Sequence, residues 1–129
     1  TKHRVVLSPH CFGPSVYERP EFQDADFPNN LDSIYHSKFG FLENQGFPVV
    51  VGAWGGRFYP GTRDEKWNNW FVDWMITNRL TNNFYQRLIT DDGGAGGVLD
   101  INCTTPIEFK LELLNRAQPN PTKFLTQNG

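Results

Sequence analysis

Three short apolar runs alternate along the chain with three segments whose apolar residues recur at helical spacing. The runs cover residues 5–7, 47–52 and 83–89. Short apolar runs bounded by glycine and proline are typical of strands in a sheet that is covered on both faces. The pattern therefore predicts the order β-α-β-α-β-α.

The segment between the first two runs predicts one helix. Its apolar residues fall near helical spacing, and they are Leu31, Ile34, Tyr35, Phe39 and Leu42. Gly46 follows them, and a glycine at that place commonly ends a helix. We therefore expect this helix to end just before Gly46.

The segment after the second run has the most regular apolar face. Its members stand at positions i, i+3, i+4, i+7 and i+8, and they are Trp67, Trp70, Phe71, Trp74 and Met75. Thr62 and Glu65 have the spacing of a capping box, which predicts the N-terminus of the helix. At helical spacing we interpret the aromatic side chains as a buried helix face rather than a sugar-stacking platform.

A third helix is predicted near the end of the chain. Thr105 and Pro106 indicate its start, and Glu108 lies three residues after Thr105. We expect the helix to end before Pro119. Its apolar residues are Phe109, Leu113 and Leu114. Residues 1–117 are therefore predicted as one folded portion, and residues 118–129 as an irregular tail.

Alternating strands and helices imply parallel strands joined by right-handed crossovers. Three such strands leave two open sheet edges. A closed TIM barrel needs eight βα units and roughly 250 residues, whereas this chain has 129 residues. We therefore predict an α/β fold made of about three βα units of a (β/α)8 barrel, or a small sheet that a partner completes.

Composition narrows the function classes. The apolar share of 38% and the aromatic share of 15% are enough for a core and too high for a disordered tail. The net charge of −2 with intermixed signs gives no basic patch for nucleic acid, and no apolar run approaches a membrane span. The histidines His3, His10 and His36 and the cysteines lack the spacing of metal ligands, so neither a metal nor another cofactor is predicted.

Two further features depend on the cellular compartment. Cys11 and Cys103 are too few for a disulfide framework, and the sequence leaves open whether they form one bridge or two thiols. Asn102, followed by Cys103 and Thr104, is an N-glycosylation acceptor if the protein is secreted.

Four segments in order resemble one enzyme family. Residues 4–17 contain His10 and Phe12 at the spacing of a His-x-Tyr motif, and residues 47–56 read Phe-Pro-Val-Val-Val-Gly-Ala-Trp-Gly-Gly. Residues 83–99 and 104–114 follow with a last strand, its glycine-rich loop and a final helix. Together they resemble the sixth to eighth βα units of a glycoside hydrolase family 5 cellulase barrel.

The resemblance implies where catalysis would occur and what this chain lacks for it. Family 5 enzymes are retaining, which requires two carboxyl groups about 5 Å apart. The position that matches the nucleophile is Ala53, and the acid/base glutamate would lie on strands that this sequence does not contain. A methyl group cannot attack an anomeric carbon, so we predict no catalytic residue.

The same subsite differs at further positions. The family tyrosine is Phe12 and the family stacking tryptophan is Gln86, whereas the motif histidine is kept as His10. The loop after the last strand also departs from the family pattern, at Ile89, Thr90 and Gly94. Several changes at one subsite favour natural degeneration over a single engineered knockout.

Carbohydrate contacts are predicted for His10, Phe12, Trp54 and Gln86. His10 could instead serve packing alone, and both interpretations stay open. Asp91 and Asp92 are expected in turn and N-cap roles. Glu18 and Glu21 lie in a long loop, from which they could approach a ligand.

Three functions are carried forward from the sequence. The first is a non-catalytic module, with a carbohydrate-binding or structural role, outside the cell or at the cell wall. Its ligand would be a β-glucan or another polysaccharide. The second is an assembly subunit whose sheet edges are completed by the missing barrel half or another chain. The third is a working endoglucanase seen as a fragment or as a nucleophile mutant.

Overall fold

A computed structural model describes residues 5–80, 82–90 and 96–120 of the chain. The sheet within it has three strands, β1 (Cys11–Phe12), β2 (Val51–Gly55) and β3 (Asn83–Tyr85), in the order β1-β2-β3. Both pairings are parallel, with Cys11 opposite Trp54 in one and Trp54 opposite Tyr85 in the other. The predicted arrangement of parallel strands joined through helices is confirmed.

Regular pairing in the first strand begins later than the apolar run predicts. Leu7 pairs with Val49 as a single parallel bridge, and the Pro9 carbonyl accepts a hydrogen bond of 2.9 Å from the Gly52 N–H. Pro9 has no N–H to donate but still accepts, so it interrupts the ladder without ending the extended segment. The strand therefore continues past the proline to Phe12.

The helical layer begins with α1 (Leu31–Tyr35), which passes through a π-helical turn (His36–Gly40) into α2 (Phe41–Asn44). These three pieces form the helix predicted between the first two strands. Gly46 has a φ of 78°, and its N–H donates to the Glu43 carbonyl at 2.9 Å. A left-handed residue is favoured as glycine, which confirms Gly46 as the helix stop.

The helix α3 (Arg63–Thr77) follows β2 and has Thr62 as its N-cap. The Thr62 hydroxyl accepts the Glu65 N–H at 3.3 Å, and the Glu65 carboxylate accepts the Gly61 N–H at 2.7 Å. The capping box thus closes on Gly61 rather than on Thr62 itself. Trp67, Phe71, Trp74 and Met75 are buried and Trp70 is half-buried, as the predicted apolar face requires.

The last helix, α4 (Glu108–Arg116), begins later than predicted. Its N-cap is Ile107, without a side-chain hydrogen bond, so Thr105 and Pro106 lie outside the helix. The Asp100 carboxylate accepts the N–H groups of Thr104 and Thr105 at 2.8 and 3.1 Å. That competing turn keeps the segment before α4 out of the helix. The helix ends before Pro119, as expected.

The core lies between one face of the sheet and the helices. Trp67 stacks on Phe71 with ring centroids 4.9 Å apart, and its indole N–H donates to the Tyr35 hydroxyl at 3.0 Å. Trp54 from β2 packs against Phe71 from the sheet side. This aromatic cluster fixes α3 over the strands.

The remaining features are the two cysteines, the possible metal ligands and the length of the helices. Cys11 is buried, Cys103 is exposed, and both are free thiols. Within the described ranges no cluster of His, Cys, Asp and Glu side chains could hold a metal ion. None of the helices described is long and apolar enough to cross a bilayer.

Candidate functional site

His10 and Phe12, two of the residues predicted to contact carbohydrate, lie on the face of the sheet opposite the helices. Successive strand residues point to opposite faces, and the first strand follows this rule, with Cys11 buried and Ser8 and His10 exposed. Phe12, on the same face as His10, is half-buried. We call this side of the sheet, with Ser8, His10 and Phe12 on its first strand, the open face.

An irregularity in β2 places Ala53 on the open face. Val51 and Trp54 are both fully buried although they are three residues apart. The pairing of β2 with β3 shifts register between these two residues, which accommodates one extra residue. Gly52 and Ala53 are therefore turned away from the core, and both are half-buried.

His10 lies directly against Gly52. A Cβ atom added at Gly52 would stand 2.9 Å from His10 Nε2, so only a glycine lets the imidazole approach the backbone so closely. The His10 and Phe12 rings meet edge to face, with centroids 6.3 Å apart and an interplanar angle of 86°. The structure thus brings His10 and Phe12 to one side of the Ala53 strand.

Gln86 lies on the other side of the same strand. Its N–H donates to the Trp54 carbonyl at 2.9 Å. Gly55 has a φ of 140°, and a Cβ atom there would stand 3.0 Å from Gln86 Nε2. His10, Ala53 and Gln86 therefore lie on three neighbouring strand segments.

Trp54 points the other way. Its fully buried indole donates to Asn83 Oδ1 at 2.8 Å and packs between the rings of Phe71 and Tyr85, at 5.8 and 5.2 Å. The residue after Ala53 follows strand alternation and enters the helix side of the sheet. Trp54 is therefore not brought together with His10, Phe12 and Gln86.

A cavity of about 240 Å³ lies along the outer edge of β1, where His10 and Phe12 line it. Three charged side chains line it too, and they are Arg19, Glu21 and Lys38. The Lys38 ammonium group donates to Glu21 Oε1 at 3.2 Å. We call this space the edge cavity.

The two acidic candidates in the long loop are held by cations. Arg63 donates to both carboxylate oxygens of Glu18, at 2.8 and 2.9 Å, and these hydrogen bonds lower the pKa of Glu18. Glu21 lines the edge cavity but is paired with Lys38. These ion pairs hold the loop to α3 through Arg63 and to the π-helical turn through Lys38.

Some predicted positions lie outside the described residues, namely His3, Asp91, Asp92 and Gly94. Thr90 is described, and its hydroxyl accepts the Gly97 N–H at 2.9 Å. Asn102 is exposed in the turn before α4, and the Thr104 hydroxyl donates to the Asp100 carboxylate at 3.3 Å.

A polar network centred on the buried Asp64 was missed from the sequence. Asp64 accepts the Ser15 N–H and the Ser15 hydroxyl, both at 2.8 Å, and Ser15 Oγ accepts the Arg57 N–H at 3.1 Å. Burial raises the pKa of Asp64 against the opposing effect of these hydrogen bonds. The network joins the loop after β1 to the loop after β2. A Cβ atom at Gly13 would stand 2.5 Å from Asp64 Oδ1, so glycine is required there.

Lys110 of α4 is a second buried polar residue near this network. Its ammonium group donates to the Gly97 carbonyl at 2.9 Å, which ties α4 to the end of the loop after β3. Burial lowers the pKa of Lys110 to about 8, although the negative charge of Asp64 acts in the opposite direction. The hydrogen bond of Lys110 therefore holds the loop, but it places a charged group in a buried position.

We expect Lys110→Met to change how stability depends on pH. An unfolded lysine has a pKa of about 10.4, so between about pH 8 and 10 the unfolded state binds more protons than the folded state. Deprotonation then favours folding, and Lys110 gives the wild type a stability gain as pH rises. Burial also raises the pKa of the Cys11 thiol and of the Tyr85 hydroxyl to about 12. Because these two groups add their own pH dependence, urea unfolding of both proteins at pH 7 and 9.5 should be compared. From pH 7 to pH 9.5, the free energy of unfolding of the wild type should rise relative to that of the variant. Equal changes in the two proteins would contradict this expectation.

Comparison with known proteins places this geometry in a family context. A family model described as cellulase, glycosyl hydrolase family 5, matches residues 1–87. The endoglucanase of Paenibacillus polymyxa is 37% identical over 116 residues, which are 88% of this chain and 29% of that protein. The major extracellular endoglucanase of Xanthomonas campestris is 30% identical over 113 residues, which are 87% of this chain and 23% of that protein.

Solved structures agree with the sequence comparison. The complex of a variant endocellulase from Pyrococcus horikoshii with cellotetraose superposes with a TM-score of 0.81 at 41% identity, and the match covers 87% of this chain and 31% of that one. The chain therefore spans about a quarter to a third of the length of these proteins, and it corresponds to a C-terminal part of their barrels.

Proposed function

The chain belongs to glycosyl hydrolase family 5, and from that premise we propose that it is a non-catalytic barrel portion that binds carbohydrate. Its ligand is a β-1,4-glucan, the class to which the cellotetraose bound by the Pyrococcus horikoshii endocellulase belongs. The proposed location is outside the cell or at the cell wall, where Asn102 would be available for glycosylation.

Ala53 carries the proposal. In a retaining mechanism a carboxylate must attack the anomeric carbon, and a second carboxyl about 5 Å away must protonate the leaving oxygen. The residue that matches the nucleophile has only a methyl group, on the open face beside Gly52. Glu18 and Glu21, two acidic residues of the neighbouring loop, are held by Arg63 and Lys38.

Binding is supported by the groups that remain around Ala53. The His10 imidazole and the Gln86 amide can exchange hydrogen bonds with sugar hydroxyl groups, and Phe12 offers an apolar edge. The loss of an indole at position 86 removes one large stacking surface. We therefore expect weak to moderate affinity rather than none.

The test combines calorimetry with a product assay on the purified chain. We expect cellotetraose to bind with a sub-millimolar Kd and to remain intact by chromatography after prolonged incubation. His10→Ala should weaken binding, whereas Asn115→Ala, an exposed change at the end of α4, should not. Released cellobiose above the level of a mock purification would refute the non-catalytic assignment, and absent binding would refute the carbohydrate role.

A second candidate function is supported by exposed apolar side chains in β3 and just after it. Phe84 is 66% exposed and Leu88 is 60% exposed. On this alternative the sheet is completed by the missing barrel half, from the same precursor or from another chain. The assembly function would be favoured if the native mass exceeded that of one chain and electrophoresis under denaturing conditions then resolved a second polypeptide.

The third possibility, a fragment of an active endoglucanase, requires a nucleophile other than residue 53.

A further inference from the structure

The buried Asp64 carboxylate lies between the backbone just beyond β1 and the backbone just beyond β2. A Cβ atom at Gly13 would stand 2.5 Å from Asp64 Oδ1, and one at Gly56 would collide with the same oxygen. Gly13 directly follows Phe12, and Gly56 is three residues after Ala53. We infer that Asp64 is a positioning residue for carbohydrate binding, because it fixes these two strand ends relative to each other.

The carboxylate acts through Ser15 and not on a ligand directly. Its two oxygens accept the Ser15 N–H and the Ser15 hydroxyl, each at 2.8 Å. Ser15 Oγ in turn accepts the Arg57 N–H at 3.1 Å, so hydrogen bonds run from α3 across the loop after β1 to the loop after β2. We call this chain of hydrogen bonds the loop bridge. Bonds to an ionised carboxylate are stronger than bonds between neutral groups.

The third strand segment of the site is tied to the same place. The Tyr85 hydroxyl donates to the Gly56 carbonyl at 3.2 Å, and Gln86 follows Tyr85 directly. The loop bridge therefore meets all three strand segments that carry the site. A ligand binds more tightly when the groups that contact it are already held in place. The inference rests on the proposed carbohydrate function, since the groups held here are those assigned to the sugar.

Charged groups from several elements face Asp64. Burial raises the pKa of Asp64, whereas the hydrogen bonds of the loop bridge and the positive charges of Arg57 and Arg63 act to lower it. Tyr85 of β3 and Lys110 of α4 also face it, since its negative charge acts to raise the pKa of both groups. Asp64 therefore takes up a proton at a higher pH than an exposed aspartate does. A protonated carboxyl group accepts the two serine bonds less well, so the loop bridge should weaken as the pH falls.

The test measures cellotetraose binding by calorimetry at pH 7 and pH 4. At pH 7, Asp64→Ala removes both acceptor oxygens and should weaken binding by about three- to tenfold. Asp64→Asn keeps one oxygen for the Ser15 N–H and can donate its amide to Ser15 Oγ, so its affinity should stay within about twofold of the wild type. From pH 7 to pH 4 the wild type should lose at least about twofold more affinity than Asp64→Asn, because only the aspartate can be protonated. His10 is present in both proteins, so the difference between their pH profiles isolates Asp64.

Glu65→Ala is the matched control. Glu65 is the next residue of the same helical turn, and its carboxylate accepts the Gly61 N–H instead. The change should lower the midpoint of urea unfolding and leave the affinity for cellotetraose unchanged. Circular dichroism would verify that each variant is folded. Ser15→Ala, which removes the bridging hydroxyl, tests the same loop bridge if Asp64→Ala does not fold, and it should weaken binding by about two- to fivefold.

The outcomes separate the two proposals. If the wild type binds cellotetraose and neither Asp64→Ala nor Ser15→Ala weakens binding, the positioning role is refuted while the carbohydrate function stands. Parallel pH profiles for the wild type and Asp64→Asn would also refute it, since the ionised carboxylate would then not be what holds the site. An equal loss in Glu65→Ala would refute it as well, because any change in this helical turn would then suffice. If the wild type does not bind cellotetraose, both proposals fall.

Discussion

Replacing Trp67 with alanine is expected to destabilise the chain by about 3–5 kcal/mol, the range for truncating a large buried aromatic side chain. Trp67 is fully buried, stacks on Phe71 and donates its indole N–H to the Tyr35 hydroxyl. The change thus removes a contact with α1 as well as the packing within α3. Since domains are commonly stable by only 5–15 kcal/mol, the midpoint of urea unfolding should fall steeply or no folded state should remain.

Two other variants separate the packing term from the hydrogen bond. Trp67→Phe keeps a ring over Phe71 but leaves the Tyr35 hydroxyl without its donor, and we expect a cost of about 1–3 kcal/mol. Trp70→Ala, at a half-buried position of the same helix, should cost less than Trp67→Ala. Equal midpoints for Trp67→Ala and Trp70→Ala would show that Trp67 is not central to the core.

The alternation of strands and helices could be predicted because it depends on local patterns. The helical spacing from Trp67 to Met75 reports which side of α3 is buried, and the structure confirms it. Gly46 indicates a left-handed backbone conformation, which few other residues adopt. These signals belong to single residues or to one helix, and no distant partner is needed to interpret them.

Strand bounds could not be predicted in the same way because a strand exists only through its neighbour. Proline at position 9 indicates an end to the first strand, yet its carbonyl still accepts from Gly52. Thr105 and Pro106 predict the start of a helix, but the nearby Asp100 carboxylate accepts the Thr105 N–H, and the helix begins only at Glu108. In both cases a hydrogen-bond partner elsewhere in the chain decides the outcome.

The site was predictable in part. The family resemblance placed His10, Ala53 and Gln86 near one another, and the structure brings them to adjacent strand segments. It did not predict that Trp54 points to the core, although strand alternation next to Ala53 places it there. Asp64 was missed since an acidic residue in the first turn of a helix is ordinary, and only its bonds to Ser15 reveal that it is a clamp.

The largest effect on function is expected in a complete barrel. Joining this chain to the preceding barrel portion of the Paenibacillus polymyxa endoglucanase would supply the strands that the family resemblance assigns to the acid/base glutamate. We expect the chimera with Ala53 to give no hydrolysis of a fluorogenic cellobioside above background. Ala53→Glu places a carboxylate on the open face beside Gly52, and the rate should rise by at least about 10³-fold. Adding Phe12→Tyr and Gln86→Trp should raise it further.

Ala53→Gln is the matched control, since it has nearly the shape of glutamate but cannot form a glycosyl ester. The same Ala53→Glu change in the chain alone should remain inactive, because one carboxylate without an acid/base partner completes neither half of a double displacement. A chimera that hydrolyses the substrate equally with alanine, glutamine or glutamate at position 53 would mean that another side chain attacks the sugar. In that case the open face of β2 would not be the former catalytic surface.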